Sequence, residues 1–363
     1  QFGYSPTYYN VDMEFNNCLF KGNKAFRHGG GIALQTAKTV LIITCIFEEN
    51  SANNKDLKSS KLLFDSYYHL KSDGRGGAIY INPTFSNADQ GENQKGDYMK
   101  KVEIKDCIFT SNAAFDGFAI YIEGDDQHTE FVIENNEFKS NYKNGNKDDD
   151  QYSIERAVIT SEIMNLYNDQ IPTKNTFSNE DGSEVNKLLY VDHNGDPIHI
   201  ESPTEEPTTI QVEVTTTSES TETSTESSDT STESTETSTE SSESLTVDET
   251  ETLPIEPTSD ESDDNCGINK RCEIENNSSI TSFNITKSDF INLTWDGNGA
   301  AINFINCMID CQETYFYNCS STNGGGGGIY IYIDKKVDEK DSIIVSCKFI
   351  KCKSYYGGAI YCF

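Results

Sequence analysis

Asp125 and Asp126, adjacent in Gly124-Asp-Asp-Gln-His128, are the residues of this 363-residue chain best placed by type for chemistry. Glycoside hydrolysis needs one carboxyl group to protonate the leaving oxygen and another to activate water across the sugar. The groups that would complete such a site, an Asn-Thr-Asp, a later Gly-His-Gly and an Arg-x-Lys, are missing. Arg27-His28-Gly29 precedes the aspartates, in the wrong order. A solvated turn is the plainer reading of the pair. Asp192-His-Asn-Gly-Asp196 has the look of a calcium loop, but Pro197 and Pro203 stand where an EF-hand needs glycine and glutamate. Leu188–Val191, an Asn194-Gly195 turn and Ile198–Ile200 read better as a β-hairpin, with His193 and His199 as surface residues. The run Gly324–Gly328 lacks the Gly-x-x-x-x-Gly-Lys pattern and a following helix, so it reads as an elongated turn rather than a phosphate cradle. No metal, cofactor or catalytic residue is expected. The remaining positive features are tyrosine pairs, Tyr8-Tyr9, Tyr67-Tyr68 and Tyr355-Tyr356. They could make a sugar- or protein-binding platform or simply cover loops.

The elements that would carry these residues are written in a returning phrase, Cys-x-Phe-x-x-Asn followed by Gly-Gly-Ala-Ile-Tyr-Ile. It appears at Cys18, Phe20 and Asn23 with Gly29–Leu34, and at Cys45, Phe47 and Asn50 with Gly76–Ile81. A third copy has Cys107, Phe109 and Asn112 with Gly117–Ile122, and Phe138 with Asn141 is a weaker one. Phe349 with Gly357–Cys362 repeats it far downstream. Self-similarity with steps near 27 to 33 residues predicts a solenoid. Short β-prone runs such as Val40–Thr44 and Val102–Ile104 predict strands, and residues 51–73 and 82–101 predict loop insertions. The expected fold is all-β, a right-handed parallel β-helix. Stacked coils would turn the phenylalanines into a buried column and the asparagines into a ladder at a turn.

The pairing of Phe-x-x-Asn with Gly-Gly-Ala-Ile resembles the repeats of the polymorphic outer membrane protein (Pmp) family, β-helical surface adhesins with counterparts in parasitic protists. It extends over most of 14–160 and 283–363. The resemblance implies a non-enzymatic protein presenting its scaffold to a protein or glycan ligand. Nothing in the chain matches the β-barrel translocator that ends the bacterial proteins.

Between the repeats, residues 203–264 hold 19 Asp or Glu, 31 Ser or Thr and no Lys, Arg or aromatic residue. Such a segment buries too little apolar area to offset its chain entropy, so a disordered, extended stalk is expected. It accounts for 19 of the 32 net negative charges. The chain thus divides into a β-helix segment at 1–202, a linker at 203–264 and a Cys-rich β-helix segment at 265–363. The outer two are either separate solenoids or one solenoid with the linker as a giant loop. The acidity, without a basic patch, argues against nucleic-acid partners.

Eight of the 11 cysteines follow the linker. Cys319 and Cys352 occupy the ladder place held by asparagine earlier. If their coils are neighbours, the spacing suits a disulfide; Cys266 and Cys272 could close a small loop. The three earlier cysteines read as a buried free-thiol column. Sequons begin at Asn276, Asn277, Asn284, Asn292 and Asn318, all after the linker. Together these features point to an extracellular or cell-surface location. Gln1 is no initiator and Phe363 falls within a repeat phrase, so a piece of a longer protein is expected, with any membrane anchor outside it. The leading expectation is an adhesin-like protein, with a structural surface coat or matrix component and a carbohydrate-active β-helix enzyme as alternatives.

Overall fold

The computed structural model describes residues 11–35, 37–52, 74–85, 97–123, 129–143, 154–157, 174–178, 188–191, 270–275, 282–333 and 340–363. Each repeat phrase folds into one coil of four short strands. Val11–Asn16, Leu19–Lys21, Lys24–His28 and Ile32–Leu34 form one coil, and Thr39–Ile43, Ile46–Glu48, Ser51–Ala52 and Ile79–Ile81 the next. Alternation along a strand sends Val11, Met13 and Phe15 into the core while Asp12, Glu14 and Asn16 face outward. Equivalent strands of successive coils pair in parallel and in register, giving four sheets of seven, eight, seven and nine strands. This is a parallel β-helix. The expected insertion at 82–101 begins and ends in a small antiparallel pair, Thr84–Phe85 with Asp97–Tyr98. Most of the other, 53–73, lies outside the described residues.

Three turns join the four strands of each coil, and local backbone chemistry makes each one; a fourth, variable connection leads to the next coil. At the first corner one residue takes the left-handed conformation, as at Asn17, Thr44, Asp106 and Ser346 (φ 53–54°). At the second, Gly22, Glu49, Ser111 and Lys351 do the same. The next residue in each case is buried: Cys18, Cys45, Cys107 and Cys347 at the first corner, Asn23, Asn50, Asn112 and Cys352 at the second. The third turn is the Gly-Gly step. At Gly77 a Cβ would stand 2.0 Å from the Phe118 oxygen of the neighbouring coil, so only glycine lets the two backbones approach.

The order of coils along the axis differs from their order along the chain. The first sheet runs Glu130–Glu134, Lys101–Lys105, Thr39–Ile43, Val11–Asn16, Lys340–Val345, Met308–Gln312, Ser282–Thr286. The last coil of the chain therefore stacks on the first, Phe15 opposite Ile344 and Phe20 opposite Phe349. Gln1–Ile200 and Asp263–Phe363 belong to one compact unit, and residues 201–262 lie outside the described residues. Leu188–Val191 and Cys272–Glu275, which flank the linker in sequence, lie at opposite edges of the nine-stranded sheet. Eight strand spacings of about 4.8 Å separate them, roughly 38 Å.

Inside, eight phenylalanines stack in one column: Phe177, Phe138, Phe109, Phe47, Phe20, Phe349, Phe316 and Phe290. Their ring centroids are 4.5–5.1 Å apart and the rings nearly parallel. The contact across the junction, Phe20 on Phe349 at 5.0 Å, matches Phe20 on Phe47 at 4.8 Å. Beside it runs the asparagine ladder of Asn141, Asn112, Asn50 and Asn23. Each amide donates to the oxygen of a phenylalanine on the adjoining coil: Asn50 to Phe20, Asn112 to Phe47, Asn141 to Phe109, and Asn23 across the junction to Phe349. Cys352 and Cys319 continue the ladder against Phe316 and Phe290.

Those two cysteines are neighbours, yet both are free thiols and the expected disulfide between them is not formed. In-register side chains leave the backbone in parallel, so their Cβ atoms stay near the strand spacing of about 4.8 Å. A disulfide needs about 3.5–4.5 Å. Cys18, Cys45 and Cys107 are also buried free thiols. Cys272 is disulfide-bonded, while Cys266 lies outside the described residues.

Candidate functional site

The residues singled out for hydrolytic or cation chemistry fall outside what the structure describes. Asp125, Asp126 and His128, the 192–196 loop, and the return arm of the expected hairpin at 198–200 all lie outside the described residues. Leu188–Val191 is a strand pairing in parallel with Ile154–Ala157. The five-glycine run is a turn: Gly326 takes φ +68°, and a Cβ on Gly325 would strike the Tyr361 ring at 1.9 Å. Among the described residues no three His, Cys, Asp or Glu side chains gather as a metal site. No helix there is long and apolar enough to cross a membrane.

What the fold does assemble is an aromatic row on the outer side of the nine-stranded sheet, a second buried cluster packed under Tyr332 and Tyr356. In Gly-Gly-Ala-Ile-Tyr-Ile the isoleucines point inward, so the tyrosine between them must point out. Stacking aligns Tyr121, Tyr80, Ala33, Tyr361 and Tyr330 in one row. Alanine at 33 leaves a gap where the two halves of the chain meet. Two residues of the third sheet fill it: His28 stacks on Tyr80 at 4.6 Å, and Tyr356 on Tyr361 at 5.3 Å. His28 and Tyr356 touch each other at 5.7 Å, so the aromatic row is continuous across the junction.

Two arginines border this row in a strongly acidic chain. Arg75 lies 4.8 Å over the Tyr121 ring, paired with Glu123 at 2.7 Å and Asp116 at 3.8 Å. Arg27 donates to the Tyr356 hydroxyl at 2.9 Å and lies 5.6 Å over Tyr355, which also stacks on Phe26. Burial first, then the Arg75 and Arg27 charges, lower the His28 pKa to about 3, so its imidazole is neutral at physiological pH. Burial raises the Tyr330 and Tyr361 phenols, which stay protonated. Tyr361 donates to Gln35. The row itself is buried, with Tyr80, Tyr121, Tyr330 and Tyr361 at most 8% exposed. What reaches solvent is its half-buried rim, Arg27, Arg75, Tyr355 and Tyr356, whose rings and guanidinium charges suit binding.

Tyr355 and Tyr356 are on this face; Tyr8, Tyr9, Tyr67 and Tyr68 lie outside the described residues. The sequence reading missed Tyr80, Tyr121, Tyr330 and Tyr361, although their alternation with isoleucine was the available signal. It gave no sign that His28 would replace the ring absent at Ala33. Of the sequons, Asn284, Asn292 and Asn318 are exposed, and Asn276 and Asn277 lie outside the described residues. Asn292 and Asn318 sit at the second corner of adjacent coils, and Asn318 donates to Asn292 at 2.8 Å.

Fold and face together define a parallel β-helix with an outward arginine-bordered aromatic row. Residues 44–82, which contribute Arg75 and Tyr80 to that row, match the Chlamydia polymorphic membrane protein repeat, so the chain carries a repeat of that type. No curated protein and no solved structure matches the chain significantly.

Proposed function

We propose that this is an adhesin-like protein of the cell surface, which binds a protein or glycan ligand of a host cell, matrix or neighbouring cell. The observation that carries the reading is the half-buried rim over the tyrosine row, where Arg27 lies over Tyr355 and Arg75 over Tyr121. Aromatic rings beside guanidinium groups are what interfaces concentrate. Two further facts support it. The matched repeat is that of a polymorphic membrane protein, and three sequon asparagines face solvent, where glycosylation in a secretory compartment would find them.

The test is binding of the purified chain to cells, matrix proteins and a glycan panel, compared with the double variant Arg27→Ala, Tyr355→Ala. Both side chains are half-buried at the rim, so the fold should survive. The expected result is binding by the parent and at least a tenfold loss in the variant. Undiminished binding by a folded variant would move the site elsewhere. A parent that binds nothing but sediments as a self-assembled species would replace adhesion with a structural coat.

A further inference from the structure

One corner rule governs the thiols along the solenoid. The side chain at these first corners reaches the main-chain oxygen of a fixed position on the adjoining coil, three residues before that coil's own corner. Asn175 reaches Ile133, Asn136 reaches Ile104, Cys107 reaches Ile42, and Cys45 reaches Phe15. Cys18 reaches Ile344, Cys347 reaches Cys311, and Thr314 reaches Ile285. The residue reached is isoleucine or phenylalanine in six of these seven contacts. In the remaining one it is a cysteine. The repeat therefore brings the Sγ atoms of Cys347 and Cys311 to 3.6 Å, with both side chains fully buried.

We propose that Cys311 and Cys347 are a built disulfide site, which closes when the chain folds in the presence of a small-molecule disulfide such as oxidised glutathione. Unlike Cys319 and Cys352, these two come from different columns, one from a strand and one from a corner, so their side chains converge instead of running parallel. The bond would tie Met308–Gln312 to the coil that begins at Lys340–Val345, joining residues 36 apart in sequence.

The chemistry balances as ordinary thiol exchange. The Cys347 thiolate attacks one sulfur of the external disulfide and releases one small thiol. The Cys311 thiolate then attacks the Cys347 sulfur of the mixed disulfide, and the second small thiol leaves. The two cysteines lose two protons and two electrons, and the external disulfide takes up both. In the open coil either thiol can attack first, and the balance is the same with the two residues exchanged. With both sulfurs buried, exchange belongs to the open coil, before Lys340–Val345 docks.

The site goes beyond the adhesive reading and does not depend on it, since its test measures no ligand. The full chain is refolded in a glutathione redox buffer, alkylated, digested without reduction and mapped by mass spectrometry. The expected product is a cross-linked peptide pair joining Cys311 to Cys347, and reductant should then lower the urea midpoint of the parent more than that of Cys311→Ser, in which only the Cys272 disulfide is left to reduce. Finding both residues alkylated, or Cys347 joined to Cys18, would overturn the proposal. If Cys311→Ser fails to fold, the peptide map of the parent still decides.

Discussion

The second corner of the solenoid is built from different atoms in its two halves. Before the acidic linker, an asparagine amide works in both directions along the axis. The Asn50 oxygen accepts from the Asn23 main-chain N–H at 3.1 Å and from its amide at 2.9 Å, while the Asn50 amide donates to Phe20 and Asn112. After the linker, Cys352 and Cys319 each reach a phenylalanine oxygen through sulfur, at 3.8 and 3.3 Å. A thiol is a weak donor, and its sulfur a weaker acceptor than an amide oxygen for the main-chain N–H of that same coil. One half thus holds this corner by a connected hydrogen-bond ladder, the other chiefly by packing. Where the halves meet, the ladder hands over: the Cys352 N–H donates to the Asn23 oxygen at 2.9 Å. The fold tolerates either solution because the phenylalanine column beside the corner never changes.

The largest effects should come from the feature the halves share. Gly77→Ala places a methyl group 2.0 Å from the Phe118 oxygen, and Gly327→Ala places one 2.4 Å from the Gly358 oxygen. Backbone lies on both sides and cannot yield, so each change should cost about 4 kcal/mol or more and abolish cooperative urea unfolding of a native state. A large loss in one half with a small loss in the other would mean that the third turn, like the second corner, is built in two ways.

Acid should act next, at the seam. His28 is held neutral with a pKa of about 3, against 6.5 when exposed in the unfolded chain. Between those values the unfolded state binds a proton that the native state excludes, so stability rises with pH across this window. It is therefore lost as pH falls from about 6.5 toward 3, by on the order of 3–4 kcal/mol from this residue. The Glu103 and Glu134 carboxylates, whose pKa values are lowered by lysine partners, add losses in the acid range. The difference in pH slope between the parent and His28→Gln isolates the imidazole. Equal slopes would remove His28 from the account of the junction.

The asparagine corner itself ranks third. Asn50→Ala takes the acceptor from the buried Asn23 N–H and the donor from the Phe20 oxygen, a loss of about 3 kcal/mol. Cys352→Ala removes one weak sulfur contact and should cost about 1 kcal/mol. Urea midpoints measured side by side would show this inequality, and equal losses would dissolve the distinction between the halves.

How far these arrangements could be read from sequence depends on whether a residue type marks them. Phe20, Asn23 and the Gly-Gly steps recur at fixed offsets, and buried columns of like residues follow from stacking alone. The left-handed corners at Thr44 and Glu49 carry no glycine or asparagine to announce them. The order of coils was not legible at all, for a physical reason. Phe20 stacks on Phe349 as well as on Phe47, so the repeat specifies the interface without specifying the neighbour. The aromatic row was half legible: alternation turns Tyr80, Tyr121 and Tyr361 to the outer side of the sheet, but a gap at Ala33 filled from another strand by His28 and Tyr356 is a tertiary event. The Cys319–Cys352 expectation failed on the same distinction, since adjacency follows from the repeat and convergence of side chains does not.

The sharpest use of the comparison is to convert one corner into the other. In Cys352→Asn the new amide would stand where Asn23, Asn50 and Asn112 stand on neighbouring coils, beside a Phe316 oxygen placed as the Phe349 oxygen is for Asn23. Its nitrogen would donate to Phe316 and to the Asn23 oxygen, extending the ladder, and its oxygen would offer the Cys319 main-chain N–H an acceptor. The site already accepts asparagine on three adjoining coils with 0% exposure, so the volume is proven. Replacing one sulfur contact by amide hydrogen bonds should raise stability by about 1 kcal/mol. A midpoint that instead falls would mean that the C-terminal coils are shaped around sulfur at this corner, and that the two halves differ in backbone as well as in side chain.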